Sequence, residues 1–253
     1  QFCQKDVYGR CYVMKIDAGL TYYDEINKKI RAAKDCEIEV DNCLGQRYIG
    51  CGLSGKNVVV NGTPGNALGA YLNGGNVKVF GNAQDATGDT MNDGKIFIHG
   101  SSGDATGYAM RGGKIFVRGN AGYRAGIHMK AYKDKTPVLV IGGKAGSFLG
   151  EYQAGGYIIV LGLGHDKGGV VERFCATGMH GGKIFLRCDD LPYDLPEQVI
   201  AKKASKQDLD EIEEYLDEYI NEFGGDKTKI MKKNFYVLIP DTKNPYKQIY
   251  TAC

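Results

Sequence analysis

The stretch MNDGKIFIHGSSGDATGYAMRGGKIFVRGNAGYRAGIHM, residues 91–129, sets glycines directly after short apolar runs. That combination can do chemistry, because a glycine turn after a strand lets backbone N–H groups close on a phosphate. DGKIFIHG returns as GGKIFVRG nineteen residues later. The nearest dinucleotide-type match is YIIVLGLGHDKGG, with Gly162, Gly164 and Gly168. Its third glycine falls one residue late for G-x-G-x-x-G, and no amphipathic helix follows. G-x-x-x-x-G-K-[ST] does not occur. A second candidate is the loop that carries His165, Asp166, Glu172 and Cys175. It holds an acid, a base and a nucleophile, but the spacing follows no triad logic and polar loop composition accounts for it. No two of the four histidines (His99, His128, His165 and His180) stand four apart, which excludes a helical zinc motif. The eight cysteines form no C-x-x-C pair and read as small, apolar, reduced thiols. Cys43 and Cys51 flank LGQRYIG and could meet in space.

These side chains ride on an unusual chain. Glycine accounts for 37 of 253 residues, about twice the ordinary share, while proline is only 6. Lys and Arg total 32 against 30 Asp and Glu, so the net charge of +2 points to neither nucleic acid nor a membrane surface. No run of 18 apolar residues is present, and QFCQKDVYGRCYVMKIDAGL lacks a signal-peptide core. The expectation is a soluble, cytoplasmic protein.

The glycines belong to a repeat. Seven segments align on the residue that closes each strand: NVVVNG (57–62), NVKVFG (76–81), KIFIHG (95–100), KIFVRG (114–119), PVLVIG (137–142), YIIVLG (157–162) and KIFLRC (183–188). The first three intervals are 19 residues, and the rest are 23, 20 and 26. Four positions before the close stand Val58, Val77, Ile96, Ile115, Val138, Ile158 and Ile184; two before stand Val60, Val79, Ile98, Val117, Val140, Val160 and Leu186. Period-two spacing sends both columns to one face of a strand. A third column, Leu72, Met91, Met110 and Met179 with Gln153 as exception, should also point inward. One nineteen-residue unit cannot bury such a face, but stacked units can. The pattern predicts an all-β core, a parallel β-solenoid of about seven coils, with Ile96, Ile115 and Val138 in one vertical ladder. Recurrent G-x-x-G-x-x-x-G then marks sharp corners rather than a ligand cradle.

The flanks read as caps. TYYDEINKKIRAAK predicts a helix with a Thr21/Asp24 capping box and a Tyr23, Ile26, Ile30 stripe, and CEIEVDN a first degenerate coil. SKQDLDEIEEYLDEYINEFGG predicts a second helix, boxed by Ser205 and Asp208 and stopped at Gly224. Its eight carboxylates from Asp208 to Glu222 read as a solvated face or an acidic docking face. NFYVLIP reads as a strand. The column three before each close (Val59, Lys78, Phe97, Phe116, Leu139, Ile159, Phe185) should face outward as an apolar stripe. The C-terminal helix is its expected cover, with a partner chain second. Two insertions, KAYKDK (130–135) and GLGHDKGGVVERFC (162–175), read as decoration or as binding loops. They supply the candidate partner contacts Lys130, Tyr132, Lys133, His165, Asp166, Lys167 and Arg173. No catalytic, cofactor or metal residue is assigned. A sugar-active face would need outward carboxylates, and the column one before the close (Asn61, Phe80, His99, Arg118, Ile141, Leu161, Arg187) has none.

Four stretches carry a resemblance: VDNCLGQRYIGCGLSGKNVVVNGTPGNALGAYL, GNAQDATGDTMNDGKIFIHG, GDATGYAMRGGKIFVRGNAG and GGKAGSFLGEYQAGGYIIVLG. They resemble the Gly-x-Gly-x-Gly domain at the C-terminus of the glutamate synthase large subunit. The unit is also similar to the corresponding chain of formylmethanofuran dehydrogenase and to the β-helix subunit associated with N-methylglutamate synthase. The likeness covers about residues 36–188, leaving a strand/helix cap at 1–35 and a helix with extended tail at 189–253. It implies a right-handed parallel β-helix without catalytic residues, a structural subunit of a split glutamate synthase-like complex in glutamate biosynthesis. Glutaminase and FMN-dependent synthase chains would be its partners, with the FMN and the iron–sulfur cluster in the synthase and ammonia passing between the active sites. Gln1 stands where a glutaminase would carry its cysteine nucleophile, and the nearest cysteine is Cys3. The two related complexes are the alternative. Self-association is left open.

Overall fold

In the computed structural model, residues 13–34, 37–165 and 168–241 are described. The repeat makes the fold. Strands β1 (Val13–Asp17), β2 (Glu37–Leu44), β3 (Asn57–Thr63), β4 (Asn73–Phe80), β5 (Asp93–Ile98), β6 (Lys114–Val117), β7 (Val138–Ile141), β8 (Ala154–Val160) and β9 (Gly181–Arg187) pair in chain order, all parallel. Helix α1 (Tyr23–Ala32) lies between β1 and β2. After β9 come β10 (Val199–Lys203), α2 (Lys206–Asp210), α3 (Glu213–Phe223), α4 (Lys227–Lys232) and β11 (Phe235–Pro240). β11 turns antiparallel against β9, and β10 against β11, giving a mixed sheet of eleven strands. The molecule is thus mostly β.

β3–β9 are the seven repeated segments, and the inward ladder runs Val58, Val77, Ile96, Ile115, Leu139, Ile158 and Ile184. One expectation fails here. Val138 pairs with Lys114, and Leu139 takes the place beside Ile115. The residue that closes this unit is Gly143, whose N–H donates to Gly119 O as Gly162 N–H donates to Gly143 O. The intervals therefore read 19, 19, 19, 24, 19 and 26. A one-residue slip exchanges faces. Leu139 and Ile141 enter the inner core, while Val138 and Val140 join the cluster on the outside. The ladder itself is continuous.

Beyond the strands, successive units touch again through parallel bridges Ala83–Ser102–Ala121–Ala145–Val171. They also share corner bonds such as Ala86 N–H to Asp104 O and Ala105 N–H to Tyr123 O. Leu72, Met91, Met110, Met129 and Met179 are fully buried, as is the exception Gln153. Gln153 Nε2 donates to Gly155 O and Gly156 O.

Each corner alternates left-handed residues, for example Ala86, Gly88 and Thr90 at φ of 56°, 70° and 49°. The middle one is glycine in every unit but the last, where Ala176 stands between Phe174 and Gly178. A Cβ on Gly69 would stand 2.6 Å from Ile96 Cδ1, and Gly88, Gly126 and Gly150 face Ile115, Ile158 and Ile184 in the same way. The flanking positions point outward and accept side chains, at about 1–2 kcal/mol of backbone strain each.

α1 closes the first end, with Ile26 and Ile30 buried. It starts at Tyr23 behind Tyr22, which makes no side-chain cap, so the expected Thr21/Asp24 box is absent. Its C-terminus is instead held from outside. Lys56 Nζ donates to the carbonyls of Ile30, Arg31 and Ala33, each at 2.8 Å, where the helix dipole favours a cation.

Candidate functional site

Two faces of the stack carry aromatic and basic side chains. The first is the outer face of the strands. Phe116, Val140, Ile159 and Phe185 are wholly buried there, and Phe97 stacks on Phe116 at 5.0 Å. Their cover is this chain's own C-terminal segment. Leu216 and Tyr219 of α3, Ile212 just before it, and Phe235 and Val237 of β11 complete one cluster. The expected single helix is two: α2 begins with the Ser205/Asp208 capping box, Ile212 separates it from α3, and Gly224 caps α3.

The acidic run of this segment docks on a row of bases. Lys95 and Lys114 both pair with Glu218, Lys183 with Glu211 at 2.7 Å, and Lys78 and His99 with Glu222 at 2.9 and 2.7 Å. Burial pushes the Glu218 carboxyl up, but Lys114 and Lys95 outweigh it and hold it below the usual range. The Ser205 hydroxyl bond leads in holding Asp208 down at about 2. Burial raises the Tyr219 hydroxyl to about 12, and it donates to Arg118 O at 3.2 Å. The solvated-face reading of these carboxylates therefore gives way, for Glu211, Glu218 and Glu222, to an intramolecular clamp.

The residues expected at a partner contact fall in two places. Lys130, Tyr132 and Lys133 are exposed in a small turn before β7, closed by Tyr132 and Lys135, with Lys133 Nζ 5.3 Å over the Tyr132 ring. His165 and exposed Arg173 follow β8 instead, so the two insertions leave the repeat at different corners. Asp166 and Lys167 lie outside the described residues. Cys175 from the same loop is fully buried, its thiol raised to about 12 by burial, which leaves it protonated at neutral pH. Cys43 and Cys51 are free thiols. Among the described residues, no group of three His, Cys, Asp or Glu could hold a metal ion. No helix among them is long and apolar enough to cross a membrane. A cleft of about 490 Å³ beside Ser147, Arg173 and Asp194 lies between the second insertion and the segment after β9.

The second face is at the corners, and no expectation covered it. His128 stacks on Tyr152 at 5.1 Å and meets Tyr108 edge-on at 6.0 Å. Phe148 stacks on Phe174 at 4.9 Å, and the Arg124 guanidinium lies 4.8 Å over Phe148 while bonding Glu151. Tyr108, Tyr152 and Phe174 remain 39%, 42% and 45% exposed. The signal was in the repeat. Five residues after the close, the column reads Ala67, Ala86, Ala105, Arg124, Phe148; nine after, it reads Tyr71, Thr90, Ala109, His128, Tyr152. After Tyr71, small side chains give way to large ones along the stack, but only with Gly143 as the fifth close do Phe148 and Tyr152 enter these columns.

Fold and faces define a repeat protein of stacked parallel strands with glycine corners, clamped by its own acidic helix. The model of the GXGXG motif family, the type that ends the glutamate synthase large subunit, matches residues 23–243, and the chain belongs to that family. It is also 45% identical over 249 residues to the uncharacterized protein MJ1350 of Methanocaldococcus jannaschii, covering 93% of this chain and 95% of that one.

Proposed function

We propose that this protein is a non-catalytic structural subunit of a glutamate synthase-like complex, built as a right-handed parallel β-helix. Family membership across residues 23–243 is the observation that carries the reading. The architecture agrees with a frame. Inward positions are filled by aliphatic ladders, and Glu211, Glu218, Glu222, Lys95, Lys114 and Lys183 hold the C-terminal segment in place. In this reading glutaminase-like and FMN-dependent chains perform the chemistry, the FMN and iron–sulfur cluster reside in them, and the exposed Lys130, Tyr132, Lys133 and Arg173 lie at contacts with them. The complex works in the cytoplasm.

Affinity purification of the native protein, with mass spectrometry of what accompanies it, tests this. The expected result is co-purification with a chain bearing an N-terminal cysteine nucleophile and a chain with flavin absorbance. Glutamate formation or glutamine hydrolysis by the isolated chain would overturn it. Recovery with the chains of a formylmethanofuran- or N-methylglutamate-type enzyme would move the same structural role to that complex.

A further inference from the structure

We propose that the aromatic corner around Tyr108, His128, Tyr152 and Phe174 receives a carboxylate-bearing apolar segment of a partner chain. The proposal rests on the structural-subunit reading and specifies which face meets the partner and with what chemistry.

Four observations carry it. The corner side chains sit on strained backbone: Arg124, His128, Phe148, Tyr152 and Phe174 all have φ between 54° and 62°, where the two units before them use Ala86, Thr90, Ala105 and Ala109, although Tyr71 stands at such a position one unit earlier. Bulk at such positions adds nothing to the buried core, and strain kept at an exposed surface marks use. The rings form two stacked groups, Tyr108 with His128 and Tyr152, and Phe148 with Phe174, rather than scattered residues. Arg111 and Lys130, equivalent positions in successive units, are exposed beside it and make no ion pair among the described residues, nor does Arg173. The nearby carboxylates already have local donors: Glu151 accepts from Arg124, Glu172 from the Ser147 hydroxyl, and Asp104 from Tyr123 N–H.

The occupant follows from the molecule itself. Its strand face combines aromatics with lysines in the same way, and what covers it is an apolar helix edge set with glutamates. The corner presents that chemistry again with nothing among the described residues on it. Nucleic acid fits less well. His128 and Tyr152 are stacked at 15° and Phe148 and Phe174 at 25°, so each ring already has one face covered by its partner. Rings paired in this way offer fewer open faces for bases. A second copy would oppose Arg111 and Lys130 to like charges.

The test co-expresses the full chain with the glutaminase-like and FMN-binding chains of the same genome and measures the dissociation constant at several salt concentrations. Arg111→Glu with Lys130→Glu is expected to weaken the complex about 100-fold, roughly tenfold per reversal, and to flatten its salt dependence. Arg47→Glu, an exposed change toward the other end of the stack, is expected to leave affinity within about twofold. Unchanged affinity in the double variant, or a gain of self-association in it, would overturn the corner assignment and leave the structural reading standing. Wild-type chain that binds an RNA oligonucleotide through this patch and no protein would replace the occupant. No complex with wild-type chain would overturn both.

Discussion

The strand face and the corner face are made of the same materials and end in opposite states. Both set aromatic rings in register on successive units and flank them with cations. On the strand face the rings of Phe116 and Phe185 are wholly buried, and Lys95, Lys114 and Lys183 find glutamates on the segment from Glu211 to Glu222. On the corner the rings stay about half exposed, and Arg111 and Lys130 find none among the described residues. The difference teaches that an apolar stripe on a repeat stack is incomplete by itself. Whether it belongs to the fold or to an interface depends on whether the chain also encodes the complementary segment.

The contrast is sharpest in stability. Phe116→Ala empties a fully buried site between the strands and α3 and should cost about 3–5 kcal/mol. At this chain length that lowers the melting temperature by about 6–20 °C in a thermal denaturation experiment. Phe174→Ala, on the corner, should cost less than about 1 kcal/mol. Equal losses would make the corner a structural element and dissolve the comparison.

Much of this was legible from residue spacing. The inward ladder, the capping box at Ser205 and the apolar edge of the C-terminal helix follow from local periodicity, which needs no knowledge of the third dimension. The register of β7 was not. All four of its residues are buried, so polar alternation is missing and either phase fits. The adjacent Gly142–Gly143 offered two closing positions. The structure closes at Gly143, and Gly142 is glycine for a different reason: it lies beneath Tyr219 of α3, where any Cβ would strike the phenol. That contact joins residues 77 apart in sequence, beyond the reach of pattern reading. The corner patch was hidden by the same slip, and the hold on the C-terminus of α1 by its sequence distance, since Lys56 reaches the carbonyls of Ile30, Arg31 and Ala33 from a later unit.

Between the extremes lies the clamp. Asp208→Ala removes the capping box that starts the covering segment and should cost about 1 kcal/mol. It should also alter the acid limb. The folded carboxyl titrates at about 2, below its ordinary 3.8, so its stabilisation is present above about pH 4 and lost as pH falls toward 2. Glu218, likewise held low, adds to the loss in the same direction. Melts recorded from pH 6 to pH 2 should fall less steeply in the Asp208→Ala protein than in wild type. A wild-type curve flat down to pH 2 would mean that these carboxylates do not hold the cover. Glu218→Gln, which leaves Lys95 and Lys114 facing a neutral amide in a partly solvated site, should cost at most about 1 kcal/mol, less at high salt.

The smallest effect discriminates best. Tyr152 stands at φ 54°, and Tyr152→Gly relieves about 1–2 kcal/mol of left-handed strain while losing one exposed stack on His128, about 0.5–1.5 kcal/mol, and some backbone entropy. These nearly cancel, so stability should change by no more than about 1 kcal/mol in either direction, read by urea titration. At Phe116 and Phe185 of the strand face no such substitution exists, because both rings are also core. A side chain that strains its own backbone and can be removed without loss contributes little to folding. Its contribution has to be sought in what the corner touches, which is why Tyr152→Gly should weaken partner binding while the melting curve barely moves. A fall of several kcal/mol would show instead that the corner rings hold the stack together, and the two faces would then differ only in degree.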